Sequence, residues 1–220
     1  YSMTNFGTFA YNAESKAVES MRPNGVLLAQ VAPNGGIISG KSSVVQFDAW
    51  NWEDAVIEYD QGIHINWPSP YTYGRWWLGE DRGLKANNNY GKQIKGLKDF
   101  FDRSKANMSI KKSMNLKSKA MRPVFDGVTT VFLYADDEKE IVDGVTFLKG
   151  YGINKIVIVG ATESKNQLNF IKENNIPVVV KQPYRFPQST DSDPMETFEI
   201  AKKMLDHGIL VSIDPSGALL

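Results

Sequence analysis

The 220 residues carry 25 basic and 25 acidic side chains, so the formal net charge is zero. Hydrophobic residues make up 42% and charged residues 23%, ordinary values for a globular chain of one sizeable domain. That balance argues against nucleic acid or an anionic membrane as main partner, because both favour a basic surface.

No apolar run approaches the roughly 18 residues of a membrane helix. Cysteine is absent, which excludes disulfides, thiolate nucleophiles and Cys-ligated zinc. It leaves periplasmic and cytoplasmic settings equally compatible. The chain opens at Tyr1 without a signal pattern, so processing or missing upstream sequence is expected.

In chain order, Gly25–Val31 reads as a strand, followed by the turn signal Pro33-Asn34-Gly35-Gly36. Residues 43–47 and 63–67 read as weaker strands. The run from Gly35 to Ser42 fits the phosphate-loop formula G-x-x-x-x-G-K-[ST], but strand-forming residues follow where a phosphate loop must open a helix. His64 alternates with apolar residues in the second weak strand and either packs there or faces a cleft. The loop 67–77 gathers Trp67, Tyr71, Tyr73, Trp76 and Trp77 with two prolines and Arg75. Such density lines a cleft or an interface, or folds back as a lid. The Lys-rich stretch 92–122 reads as one or two amphipathic helices with a solvated face.

From Thr130 a regular cadence begins. Thr130–Tyr134 is an apolar strand. Asp136 and Asp137 suit a helix N-terminus or, as the alternative, ligation of a hard cation, and Ile141, Val142, Val145 and Leu148 form one helix face stopped by Gly150 and Gly152. Lys155–Val159 is a second strand, with Thr162 as candidate cap of a helix carrying Leu168 and Ile171. Pro177–Lys181 is a third strand. A helix from about Met195 to His207 is expected to bury Phe198, Ala201 and Leu205, and Ile209–Ile213 is a fourth strand. Apolar strands alternating with helices predict right-handed crossovers and a parallel sheet, with ligands at the C-terminal strand ends. Asp214 stands at such an end, either as a metal ligand or general base, or as a turn residue before Pro215-Ser216-Gly217.

Several of these segments resemble the amidohydrolase superfamily, in particular its imidazolonepropionase-like members. Residues 25–41 resemble the region of the second barrel strand. Residues 122–136, 155–160 and 176–179 resemble the fifth, sixth and seventh strand regions, and residues 205–214 the eighth. The resemblance implies an α/β chain, a (β/α)8 TIM-type barrel incomplete here, with residues 1–220 forming one partial barrel domain of strands two to eight. It implies a hydrolase acting on C–N bonds other than peptide bonds through water activated by a divalent metal, zinc or similar. Of the family's ligands only the aspartate has a counterpart, Asp214. The strand-five and strand-six positions hold Tyr134 and Gly160, and the two histidines of the chain form no cluster. Tyr134, His64, Lys181 and Arg185 are the expected substrate-binding residues. The expected partners are a small-molecule substrate and the remainder of the protein, or another subunit, completing the barrel. The alternative is a catalytically inactive homologue that serves as a binding or partner subunit.

Overall fold

The computed structural model of the chain describes residues 11–74, 78–79, 83–108, 116–181 and 195–214. Arg185, Arg75, Trp76, Trp77 and the turn after Asp214 lie outside them. The elements in chain order are α1 (Lys16–Met21), β1 (Leu28–Val31), β2 (Ile38–Gln46), α2 (Trp52–Ala55), β3 (Val56–Asn66), β4 (Tyr71–Tyr73), β5 (Leu84–Ala86), α3 (Tyr90–Met108), α4 (Leu116–Phe125), β6 (Thr130–Asp137), α5 (Glu138–Gly150), β7 (Ile156–Glu163), α6 (Leu168–Glu173), β8 (Val178–Lys181), α7 (Glu196–Asp206) and β9 (Val211–Asp214). No helix among the described residues is long and apolar enough to cross a membrane.

The chain divides into two compact units: Tyr1–Asn66 with Ser104–Phe132, and Trp67–Arg103 with Leu133–Leu220. Two of the three divisions fall inside α3 and β6, and the third falls at the end of β3.

In the first unit β1 pairs antiparallel with β2, and β2 antiparallel with β3. This corrects the reading of Gly25–Val31 as a strand like those of a parallel barrel. Only Leu28–Val31 is extended, and Leu27 and Leu28 are exposed. Pro33 to Gly36 turns the chain straight back, and a connection that short permits only antiparallel pairing. Lys41 and Ser42 fall inside β2, so the phosphate-loop formula lacks the helix that it needs. Val45, Phe47, Val18 and Ala55 form a small core under this sheet.

Gly62 on β3 sits where a side chain has no room. An added Cβ would lie 2.6 Å from Phe132 Cδ2 and 2.9 Å from Ser42 Oγ. Gly62→Ala is expected to cost about 1–3 kcal/mol through overpacking, seen as a melting midpoint lowered by roughly 2–10 °C. An unchanged midpoint would show that Phe132 moves aside freely.

In the second unit the cadence appears as expected. Strands β7 and β8 pair in parallel, as do β8 and β9, and β6 borders β7. Helix α5 carries a complete capping box: the Asp137 side chain accepts from the backbone, and Glu140 reaches back to the cap. Ile141, Gly144, Val145 and Leu148 are its buried face, at the i, i+3, i+4, i+7 spacing of a helix stripe. Thr162 does not cap a helix: it belongs to β7, and α6 begins only at Leu168. Helix α7 is rotated from the expected face. Ile200 and Met204 are fully buried, whereas Phe198 and Leu205 are exposed. Both pairs satisfy a helical period, and packing selects the stripe that ends in the fully buried Met204.

Candidate functional site

Strands β6 to β9 each end in a charged residue, and the pleat decides which polar side chains near those ends share a face. Along β6, Val131, Leu133 and Ala135 are buried while Phe132, Tyr134 and Asp136 are half-buried. Side chains two residues apart share a face of a strand, so Tyr134 and Asp136 project from one side. Along β8, Val178 and Val180 are buried, and Lys181 belongs to the opposite face. Lys181 stands in register with Asp214 of β9, so these two are side-by-side neighbours.

The Lys181 ammonium lies 5.7 Å from the centre of the Tyr134 ring, within the range of a cation–π contact. The Tyr134 phenol is raised above its ordinary range, first by burial and then by the negative charge of Asp214. It therefore keeps its proton at neutral pH and acts there as a hydrogen-bond donor. Three residues singled out from sequence thus come together: Lys181 and Asp214 at the ends of β8 and β9, and Tyr134 three residues before the end of β6.

Asp136 joins the same rim. Its Oδ1 accepts from the Thr162 hydroxyl at 3.0 Å, and its backbone N–H donates to Glu140 Oε2 at 3.0 Å. Glu140 is buried, and burial lifts its carboxyl above the usual range against the opposing pull of the Asp136 N–H. Sequence reasoning offered Asp136 as a helix cap or a ligand of a hard cation, and Thr162 as a helix cap. The signal that separates them is strand length: β6 and β7 run to Asp137 and Glu163, so only Asp137 is left for capping.

His64 belongs to the first unit, where its ring has structural neighbours. Its Nε2 lies 2.7 Å from Ser42 Oγ, and its ring stacks on Phe132 at 4.8 Å with 6° between planes. Gln30 Nε2 donates to the same Ser42 oxygen at 2.8 Å. His64 is 4% exposed, and burial pushes its pKa down to about 4 from 6.5. Between those values the unfolded chain binds the proton and the folded chain does not. Stability is therefore complete above pH 6.5 and falls as pH drops from 6.5 to 4, by on the order of 3 kcal/mol in all. Urea unfolding at pH 7 and pH 4.5 should show this loss for the native protein and a smaller one for His64→Gln. Equal losses would refute the assignment.

The loop after β3 has its own anchors. Trp67 is buried, and its Nε1 donates to Tyr90 Oη at 3.3 Å. Tyr90 donates to Asp143 Oδ2 at 2.8 Å, which also takes Lys139 Nζ at 2.7 Å. Trp67 is thus a packing residue, while Tyr71 in β4 is exposed. His207 caps α7 with Nδ1 2.7 Å from the Lys203 carbonyl.

Among the described residues, the donors on this face do not by themselves make up a metal centre. On the shared face Asp214 has the ammonium of Lys181 as its register neighbour, the Tyr134 phenol keeps its proton, and Gly160 has no side chain. No group of three or more His, Cys, Asp or Glu suited to an ion occurs among the described residues.

Comparison with known proteins found no matching family model and no matching curated protein. Among solved structures, the chain is similar to the crystal structure of an amidohydrolase from Thermotoga maritima MSB8, with TM-score 0.77 and 18% identity over 96% of this chain. It spans 58% of that protein's length. The chain thus has an amidohydrolase-like fold, a mixed α/β architecture that agrees with part of a TIM-type barrel.

Proposed function

We propose that this chain carries the active centre of a hydrolase acting on C–N bonds other than peptide bonds, with Asp214 at the reaction centre. The observation that supports it is the meeting of Tyr134, in the second half of β6, with Lys181 and Asp214 at the C-terminal ends of β8 and β9, the side on which α/β folds place their chemistry. The amidohydrolase-like fold points the same way.

The three groups have complementary tasks. The Asp214 carboxylate takes a proton from water as its oxygen attacks the substrate's acyl or amidine carbon. Charge developing on the electrophile is met by the Lys181 ammonium and the Tyr134 O–H, both fixed before reaction. Asp214 then returns the proton to the leaving nitrogen as the C–N bond breaks. Atoms and charge balance without another reactant. The metal-activated water that the family resemblance implies is not assigned to these residues, whose donors do not by themselves make up a metal centre.

The test is release of ammonia or amine from a panel of cyclic amides, ureides and amidines by the native protein. Turnover that disappears in Asp214→Asn and persists in His64→Gln supports the reading. Absence of turnover across the panel, in protein that unfolds cooperatively, counts against it.

A further inference from the structure

A cavity of about 570 Å³ lies beside α1 in the first unit, a size within the range of small-molecule sites. Buried Val18 and half-buried Ala13 and Ala49 give it an apolar lining. Trp50 lines it as well and is 91% exposed. A single exposed apolar residue carries no meaning on its own. Tryptophan is nevertheless a residue that proteins cover on average, and this indole borders a cavity whose other walls are charged.

The polar groups of the lining decide what the cavity accepts. Arg22 Nη2 lies 2.6 Å from Asp48 Oδ1, so its charge is met. Ser15 Oγ accepts from the Val18 N–H at 3.3 Å as the cap of α1. Glu14 and Glu19 complete the wall, and neither forms an ion pair among the described residues. With Arg22 balanced by Asp48, these two carboxylates set the sign of the local field. A sugar stacked on the indole would need directed hydrogen bonds, and the serine and arginine that could make them are engaged. A cation is drawn both by an indole face and by carboxylates. An alkylated ammonium donates few hydrogen bonds or none, and its alkyl groups suit the apolar lining.

We propose that this cavity binds an alkylated ammonium cation, with the Trp50 ring as its platform and Glu14 and Glu19 supplying the opposite charge. It shares no residue with Tyr134, Lys181 and Asp214, so this proposal and the hydrolase reading stand or fall separately.

The experiment uses choline and its neutral isostere 3,3-dimethyl-1-butanol as a matched pair, with binding to the full chain measured by calorimetry. Choline is expected to bind at least about tenfold more tightly than the alcohol. Trp50→Ala should abolish choline binding and Trp50→Phe keep part of it, because a phenyl face attracts a cation less than an indole does. The double variant Glu14→Gln, Glu19→Gln should bind choline about three- to tenfold more weakly and show less dependence on salt, since exposed charges are screened. All of these positions are exposed, so the variants should keep the native melting midpoint. No choline binding by the native chain, equal binding of choline and the alcohol, or choline binding unchanged in Trp50→Ala overturns the proposal. Saturable binding of maltose in place of choline also overturns it, and would make Trp50 a sugar platform.

Discussion

Asp214→Asn should lower C–N bond hydrolysis by roughly 10²–10⁴-fold, the range that a positioned general base supplies. The change keeps size and shape but removes the charge that accepts the water's proton. Asp214 ends β9, in register with Lys181, and nothing in the parallel pairing of β8 and β9 depends on its carboxylate. The melting midpoint should therefore stay within a few degrees of the native value, separating a lost base from a lost fold. Lys181→Met keeps an apolar stem and removes the ammonium that lies over the Tyr134 ring, with an expected loss of about 10²–10³-fold in kcat. The two losses should not add in the double variant, since both groups act on the same charge development. Steady-state rates of the three variants check this. A double variant slowed by the product of the single effects would mean that Asp214 and Lys181 work independently.

Gly160→Ala should destabilise the second unit strongly, costing roughly 2–6 kcal/mol. Two causes combine. Gly160 has φ +113°, where an L side chain is strained. Its new Cβ would also lie 3.0 Å from the Ala135 carbonyl oxygen, a backbone atom that cannot turn away. Gly152 provides the control: it too has positive φ, +83°, but nothing lies within 4 Å of its would-be Cβ. Gly152→Ala should cost only about 1 kcal/mol, the conformational part alone. Chemical unfolding of both variants distinguishes the causes, and equal losses would show that the contact with β6 contributes nothing.

By itself the sequence determined the alternation of strands and helices from Thr130 to Asp214. Runs such as Ile156–Val159 and Val178–Val180 are apolar without gaps, and only a strand covered on both faces is stable with such a run. It also determined that Lys181 and Asp214 close their strands, because strand ends follow from where the apolar runs stop, whereas β6 continues three residues past Tyr134, to Asp137. It did not determine which polar residues share a face. A run apolar on both sides carries no period of two, so Asp136 and Asp137 look equivalent until pairing sets the pleat. The tertiary structure made Asp137 the helix cap and set Asp136 beside Thr162. It likewise decided that Gly25–Val31 contributes a short antiparallel strand, since a turn signal fixes where a chain reverses and not which sheet receives it. The histidine followed the same logic: one alternating strand offers His64 to either side, and the stacked Phe132, 68 residues away in sequence, chose the buried one.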